Sequence, residues 1–368
     1  MEQTEIETGP FGPEYVVKVY NPEFKVWGFL VIDNTRRGPG KGGIRMTPTV
    51  SEVEVSRLAR AMTYKNALAD IPFGGAKSGI QFDPKTHTGA EKKEIIKWFA
   101  RALKPFIPKL YIAGPDINTT EKEMSWIATE LGDRKAATGK PSWLGGLPHE
   151  LGSTGFGVAE AAKITLEFKK IPVKGATVAI EGYGNVGTFA HKFLEEAGAR
   201  IVAVSDSKGG IYMEVGLPYK ELMKVKAKTG SVVNFSGGRK IDGKAIFELA
   251  ADVLIPAAQP DVINKENVNK VRAKIIVEGA NIPIRGEFEE ALWKREVLVV
   301  PDIIANAGGV ISSYAEYKGY SKDRMFKMVK EKVSKATREV MERAAKTKKL
   351  PRKVAMQIAS ERILKNGK

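Results

Sequence analysis

The chain contains no cysteine, which excludes disulfides, thiolate metal sites and a cysteine nucleophile. It has only 3 histidines, His87, His149 and His191, far apart and without metal-ligand spacing, so no metal is expected. His149 adjoins Glu150 and reads as an ordinary loop histidine rather than half of a catalytic pair. No apolar run approaches the roughly 18 residues that a membrane span requires. Residues 1–13 are acidic and rich in Gly and Pro, with neither a basic segment nor an apolar h-region, so no signal peptide is expected. Nucleophile elbows and Walker loops are missing too. A cytoplasmic protein that binds no membrane is the expectation.

What is present points to a soluble globular chain, 43% apolar and 28% charged. Its 368 residues exceed a single compact core and predict two domains. The formal charge of +16 raises the question of nucleic acid. Much of the excess, however, lies between Lys318 and Lys353, where Met325, Val329, Val333 and Val340 recur with lysines between them. That is an amphipathic helix with a solvated basic face. A positive field that attracts small anions and a phosphorylated cofactor fits better than a nucleic-acid partner.

Strands are expected at 15–20 and 26–33, and a Gly-rich basic loop at 36–43. Ser51 with Glu54 forms a capping-box pattern that opens a helix through Lys65. Val55, Leu58 and Met62 make one stripe of that helix, and Lys65 continues it. Further helices are expected at 91–103 and 121–131, with Gly-rich loops at 71–79 and 140–157. From Ala176 the pattern alternates strand and helix, with strands near 177–180, 200–205, 253–255, 275–277 and 297–300. These runs are short and rich in Val and Ile, as strands buried on both faces should be. From about Ala307 the tail is helical, with a break at Pro351.

The segment Thr177-Val-Ala-Ile-Glu-Gly182-Tyr-Gly184-Asn185-Val186-Gly187 places a GxGxxG directly after a strand and before a helix. In that context the motif is a strong sign of a dinucleotide site. Gly182 permits the tight turn, Gly184 the approach of a pyrophosphate, and Gly187 close packing of helix on strand. The helix N-terminus offers free N–H groups to phosphates. Asp206, at the end of the next strand, can accept from the adenosine ribose of NAD. Ser207 and Lys208 follow and can receive the 2′-phosphate of NADP, so the coenzyme stays open between the two.

The first half offers lysines among glycines: Gly40-Lys41-Gly42-Gly-Ile-Arg45, Tyr64-Lys65-Asn66, Pro72-Phe-Gly-Gly-Ala-Lys77-Ser-Gly79 and Ala113-Gly114-Pro-Asp116-Ile-Asn-Thr119. Glycine there lets the backbone lie close to a small anion. Together with Glu278-Gly-Ala-Asn281 and Asn306-Ala-Gly-Gly-Val310, these segments resemble the glutamate/leucine/phenylalanine/valine dehydrogenase family over nearly the whole chain. The resemblance implies an α/β fold of two domains. An N-terminal α/β substrate, catalytic and oligomerisation domain (1–150, with 335–368 returning to it) precedes a Rossmann-like NAD(P)-binding domain (151–334). The C-terminal helices pack back on the first domain.

The resemblance also implies roles. Lys77 activates the water that attacks the iminium carbon, Asp116 shuttles protons, and Lys65 holds the substrate α-carboxylate. Thr154, Ala257, Asn281 and Asn306 join the motif residues Asn185 and Val186 in contacting the cofactor. In glutamate enzymes of the family a lysine just before the Gly-Gly pair and a serine after Asn-Ala-Gly-Gly-Val bind the γ-carboxylate. Lys41 and Ser313 match that pattern, Thr138 matches another pocket residue, and Gly42, Gly114 and Val310 are suitably small. An unpaired Lys41 in an apolar pocket would cost several kcal/mol, roughly. Oxidative deamination of L-glutamate to 2-oxoglutarate and ammonia is therefore the expected reaction, in a homo-oligomer, with a hexamer favoured. The alternatives are a dehydrogenase of leucine, valine or a related apolar amino acid, and a non-catalytic dinucleotide sensor.

Overall fold

A glycine run that reads as a loop forms the centre of the first sheet. The computed structural model describes residues 5–365; residues 1–4 and 366–368, which the expected signal-free start and domain spans included, lie outside the described residues. Two units divide the chain. The first comprises 5–151, 310–325 and 359–365 of the described residues, and the second 152–309 and 326–358.

The first unit contains β1 (Tyr15–Asn21), β2 (Val26–Asn34), β3 (Gly40–Lys41), β4 (Ile44–Thr47), α1 (Glu52–Leu68), β5 (Gly74–Gln81), α2 (Gly89–Ala102), β6 (Tyr111–Ile112) and α3 (Glu121–Leu131). The strands line up as β1-β2-β5-β3-β6, with β4 also against β5. The loop expected at 71–79 is thus a strand from Gly74 onward. Glycine weakens strand propensity, but packing overrides it here. A Cβ at Gly75 would lie 2.0 Å from Thr63 Oγ1, and one at Gly74 would lie 1.9 Å from the Asn34 carbonyl oxygen. Side chains at these places would push α1 and β2 away.

Ser51 caps α1 as expected, accepting from the Glu54 amide at 3.2 Å. The reciprocal half of the box does not form, because Glu54 accepts from Arg45 at 2.6 Å instead. Complete capping boxes open α2 at Thr88/Glu91 and α3 at Thr120/Glu123. Leu30, Ile32, Met46, Phe99, Tyr111 and Met124 fill the core between sheet and helices.

The second unit contains α4 (Ser153–Phe168), β7 (Thr177–Glu181), α5 (Asn185–Glu196), β8 (Arg200–Asp206), β9 (Gly209–Tyr212), α6 (Tyr219–Thr229), β10 (Arg239–Ile241), β11 (Val253–Pro256), β12 (Ile275–Val277), α7 (Gly286–Lys294), β13 (Leu298–Val300) and α8 (Asp302–Ala305). Its sheet runs β10-β9-β8-β7-β11-β12-β13. The five strands from β8 to β13 are parallel and the β9–β10 edge is antiparallel. This is a Rossmann-like sheet, with the Val/Ile strands where the short apolar runs put them. The expected loop at 140–157 gives way to α4 at Ser153, a start hidden by its glycines.

Three helices close the chain: α9 (Gly308–Tyr317), α10 (Lys322–Thr347) and α11 (Pro351–Lys365). Met325, Val329, Val333 and Val340 of α10 are buried while Lys327, Lys330 and Lys335 are exposed, the amphipathic pattern expected. Within the first unit Arg362 of α11 donates to the carbonyl oxygen of Leu68 at 2.5 Å. That bond fastens the C-terminal helix to the end of α1.

Candidate active site

Strand β5 carries Lys77 into the interior of the first unit, with the residue 6% exposed. Its ammonium lies 3.2 Å from Asp116 Oδ2, and the same oxygen accepts from Arg45 Nε at 2.9 Å. Arg45 comes from β4, which runs parallel to β5. Asp116 begins a turn closed by its own amide donating to Thr119 Oγ1 at 2.9 Å, and that hydroxyl donates to the Ile44 carbonyl oxygen at 2.7 Å. Burial lowers the Lys77 ammonium below its ordinary range, while the Asp116 charge opposes the fall. Burial raises the Asp116 carboxyl, but Lys77 and Arg45 outweigh it and hold the group below the usual carboxylate range. A depressed lysine and a stable carboxylate on it can exchange a proton with a third group.

Lys41, on β3, is 4% exposed, so it does not point to solvent. Its Nζ donates to the Ala113 carbonyl oxygen at 3.0 Å, leaving two N–H groups for another acceptor. Burial draws its pKa down to about 7; Glu316 opposes this, and Lys77 and Lys140 add to it. Thr138 donates its amide to the same Ala113 oxygen at 3.0 Å, and its buried hydroxyl has no partner among the described residues. A Cβ at Gly114 would lie 2.3 Å from Lys41 Nζ, so glycine keeps the space over the ammonium open. The Gly42 carbonyl oxygen accepts from Tyr111 OH at 3.1 Å. Ser313, half-buried on α9, stands one helical turn before Glu316, and Val310 one turn before Ser313. Lys65 is half-buried in the last turn of α1. Lys41, Gly42, Lys77, Gly114, Asp116 and Thr138 therefore meet in one region of the first unit.

Sequence reasoning gave no role to Arg45, Lys140 or Glu316. Glu316 is buried, yet accepts from the amides of Gly139 and Leu147, each at 2.9 Å, and pairs with Lys140. A glutamate on the inward stripe of α9 was the available signal. The side chain of His149, read as that of an ordinary loop histidine, lies outside those described. No group of three or more His, Cys, Asp or Glu among the described residues could hold a metal, and no described helix is long and apolar enough to cross a membrane.

In the second unit Gly182 ends β7 at a φ of +88°, a conformation that disfavours side chains. A Cβ at Gly187 would lie 2.0 Å from the Gly182 carbonyl oxygen, while one at Gly184 would meet nothing within 4 Å. Gly184 caps α5 without any side-chain hydrogen bond, so the helix N-terminus opens at Gly184, with Asn185 and Val186 half-buried in its first turn. This fits a dinucleotide phosphate. Asp206 ends β8, but its oxygens accept from Ser231 Oγ at 2.9 Å and from the amides of Val232 at 2.8 Å and Lys208 at 3.0 Å. Its carboxylate thus already anchors the neighbouring turn, while Ser207 and Lys208 stay exposed. Lys226 of α6 donates to the Tyr183 carbonyl oxygen inside the glycine turn.

Ala257 donates its amide to the Glu181 carbonyl oxygen at 2.7 Å, and Thr154 lies in the first turn of α4. Asn306 Nδ2 donates to the carbonyl oxygen of Ala280 at 3.2 Å and to Asn281 Oδ1 at 3.0 Å, bracing the loop after β12. Behind this loop Arg352 binds Glu278, Glu289 and Asp302 at 2.5, 2.5 and 2.7 Å. Burial raises Glu278 well above its ordinary value, with Arg352 opposing; Glu289 is raised for the same reason.

A glycine-turned helix end made for a dinucleotide and a lysine poised to trade protons are together the equipment of an NAD(P)-dependent dehydrogenase. The comparisons narrow the class. The model described as Glutamate/Leucine/Phenylalanine/Valine dehydrogenase matches residues 145–368, and that of the Glu/Leu/Phe/Val dehydrogenase dimerisation domain matches 16–132. A glutamate dehydrogenase of Aeropyrum pernix is 44% identical over 77% of this chain and 70% of its own. An NADP-specific glutamate dehydrogenase of Saccharolobus shibatae is 42% identical over 77% of this chain and 69% of its own. Among solved structures, the hetero-hexameric glutamate dehydrogenase of Thermus thermophilus superposes with a TM-score of 0.85 at 30% identity, covering 96% of this chain and 89% of that one. The chain belongs to the glutamate/leucine/phenylalanine/valine dehydrogenase family.

Proposed function

We propose that the chain catalyses the reversible oxidative deamination of L-glutamate to 2-oxoglutarate and ammonia with NAD(P). The observation that carries this reading is Lys41, buried in the first unit with two donors unused beside an unpartnered threonine hydroxyl. Such a pocket accepts a carboxylate and rejects an apolar side chain, which would leave the ammonium unpaired. Ser313 adds a hydroxyl to the γ-carboxylate and Val310 lines the pocket, while Lys65 holds the α-carboxylate.

A bound NAD(P) would supply the acceptor for the hydride of the substrate α-carbon. The chain's own residues handle the protons. Lys77, as the free amine, removes a proton from water as its oxygen adds to the iminium carbon. Asp116, having taken a proton from the substrate ammonium before hydride leaves, passes it to the nitrogen of the resulting carbinolamine; ammonia departs and the carbonyl forms as the hydroxyl proton returns to Asp116. The Lys77–Asp116 contact at 3.2 Å lets the proton gained by one group return through the other. The coenzyme is held by Gly182, Gly184, Asn185, Val186 and Gly187 at the helix end. Asp206, Ser207 and Lys208 would face its adenosine ribose, and Thr154, Ala257, Asn281 and Asn306 would contact the rest of it.

The enzyme works in the cytoplasm as a homo-oligomer, most simply a hexamer. Tyr15, Val16, Tyr20 and Trp27, exposed on β1 and β2 at the sheet edge, support association, and light scattering checks the mass. The activity test supplies ammonia with 2-oxoglutarate, 2-oxoisocaproate or 2-oxoisovalerate and follows NADH and NADPH absorbance. Turnover with 2-oxoglutarate is expected; turnover with the branched oxo acids alone would overturn the substrate assignment.

A further inference from the structure

Glu316 grips the back of the Lys41 pocket. Its carboxylate accepts from the amides of Gly139, Lys140 and Leu147 at 2.9, 3.3 and 2.9 Å, and it pairs with the Lys140 ammonium. Lys140 also donates to the Ala137 carbonyl oxygen at 2.6 Å. Between these residues lies Thr138, whose amide shares the Ala113 oxygen with Lys41 Nζ. The segment Glu316 holds is therefore the one that shares an acceptor, the Ala113 oxygen, with Lys41. The charged groups acting on Lys41 are Glu316, Lys77 and Lys140, so one carboxylate stands against two further cations.

We propose that Glu316 is a specificity-determining positioning residue: its carboxylate holds the segment 139–147 behind Lys41 and places a negative charge there, and so keeps the pocket selective for a carboxylate over an apolar side chain. The inference rests on the reading of Lys41 as the γ-carboxylate lysine. With burial drawing Lys41 to about 7 against the pull of Glu316, ammonium and amine are close in free energy. A small change of field then decides which is populated. As the amine, Lys41 loses its attraction for a carboxylate and its aversion to a leucine-like side chain. Above the Lys41 pKa, KM for 2-oxoglutarate should rise about tenfold per pH unit, since the ligand binds the protonated form.

Two variants push the pocket in opposite directions. Glu316→Gln removes the charge that favours the ammonium. The rise in KM for 2-oxoglutarate then begins about one pH unit lower, giving a KM about tenfold higher than wild type at pH 8. Relative use of 2-oxoisocaproate increases with it. Lys140→Met removes a neighbouring cation and frees the Glu316 charge, so the rise begins at higher pH. Damage to packing alone would not move the two limbs apart. Limbs that stay put, or that move the same way, would overturn the proposal. If Glu316→Gln fails to fold, the Lys140→Met limb decides: an upward shift supports the proposal and any other result refutes it. A wild-type enzyme inactive on 2-oxoglutarate would refute the substrate reading, and this inference with it.

Discussion

Gly114→Ala tests the pocket at the point where geometry is most exacting. The added Cβ would lie 2.3 Å from Lys41 Nζ, far inside van der Waals contact, so the ammonium must retreat by about an ångström or more. Its 3.0 Å bond to the Ala113 oxygen cannot survive that shift, nor can its aim at a bound carboxylate. Losing one charge-assisted hydrogen bond is worth roughly 1.5–3 kcal/mol, or about ten- to hundredfold in affinity. The fold should hardly notice, because Gly114 has no left-handed φ and the displaced atom is the tip of a flexible side chain. The expected signature is a KM for 2-oxoglutarate raised at least about tenfold, with Tm and KM for the coenzyme unchanged. Gly42→Ala is the contrasting control, since its Cβ would lie 1.7 Å from the Ala76 backbone oxygen and should cost the fold itself. Steady-state kinetics with a thermal melt decide the matter. An unchanged KM for 2-oxoglutarate in a well-folded Gly114→Ala enzyme would refute the placement of the substrate carboxylate at Lys41.

In the coenzyme cradle, Gly184→Ala should keep its melting temperature yet weaken NAD(P) binding measured by fluorescence quenching, because its methyl enters only open space. Gly187→Ala, blocked at 2.0 Å by the Gly182 oxygen, should lose both. Asp116→Asn should lower kcat by about 10²–10⁴-fold. It should also move the acidic limb of the pH profile downward, because Asp116 is the chief group raising Lys77. Arg352→Met leaves Glu278, Glu289 and Asp302 without their shared cation and should cost about 3–5 kcal/mol near neutral pH by urea unfolding. Glu278 and Glu289 are raised in the folded state, so they bind more protons folded than unfolded, and stability falls as pH rises from about 4.5. The Arg352→Met deficit should therefore shrink toward pH 5, and a deficit equal at both pH values would count against the shared-cation account.

Much of this was legible from residues alone. Short runs rich in Val and Ile located β7, β8, β11, β12 and β13, and a glycine motif after a strand located the dinucleotide turn. Lys77 and Asp116 were named from motifs, and the structure brings them within 3.2 Å. Tertiary packing was the illegible part. Gly74 and Gly75 read as a loop because local propensity carries no record of Thr63 and Asn34 pressing on the strand. Glu54 reads as a capping residue, yet Arg45, folded in from another element, takes its carboxylate. Asp206 reads as a ribose ligand, and strand spacing says nothing of the bonds it also accepts from Ser231 and Val232. Glu316 lies far along the chain from Gly139 and Lys140, and spacing could not connect them.

Strand β5 has a consequence for how substrate range can change. Its residues are all buried except Gln81, and a Cβ at Gly74, Gly75 or Gly79 would collide with Asn34, Thr63 or Val50. The strand behaves as a rail: Lys77 rides on the least compressible part of the sheet, and almost any substitution along it would cost the fold before it altered chemistry. Gly114, Thr138, Val310 and Ser313 are panels hung on other elements, open to exchange. A new substrate preference should therefore be sought at the panels, with the proton-handling lysine left on its rail.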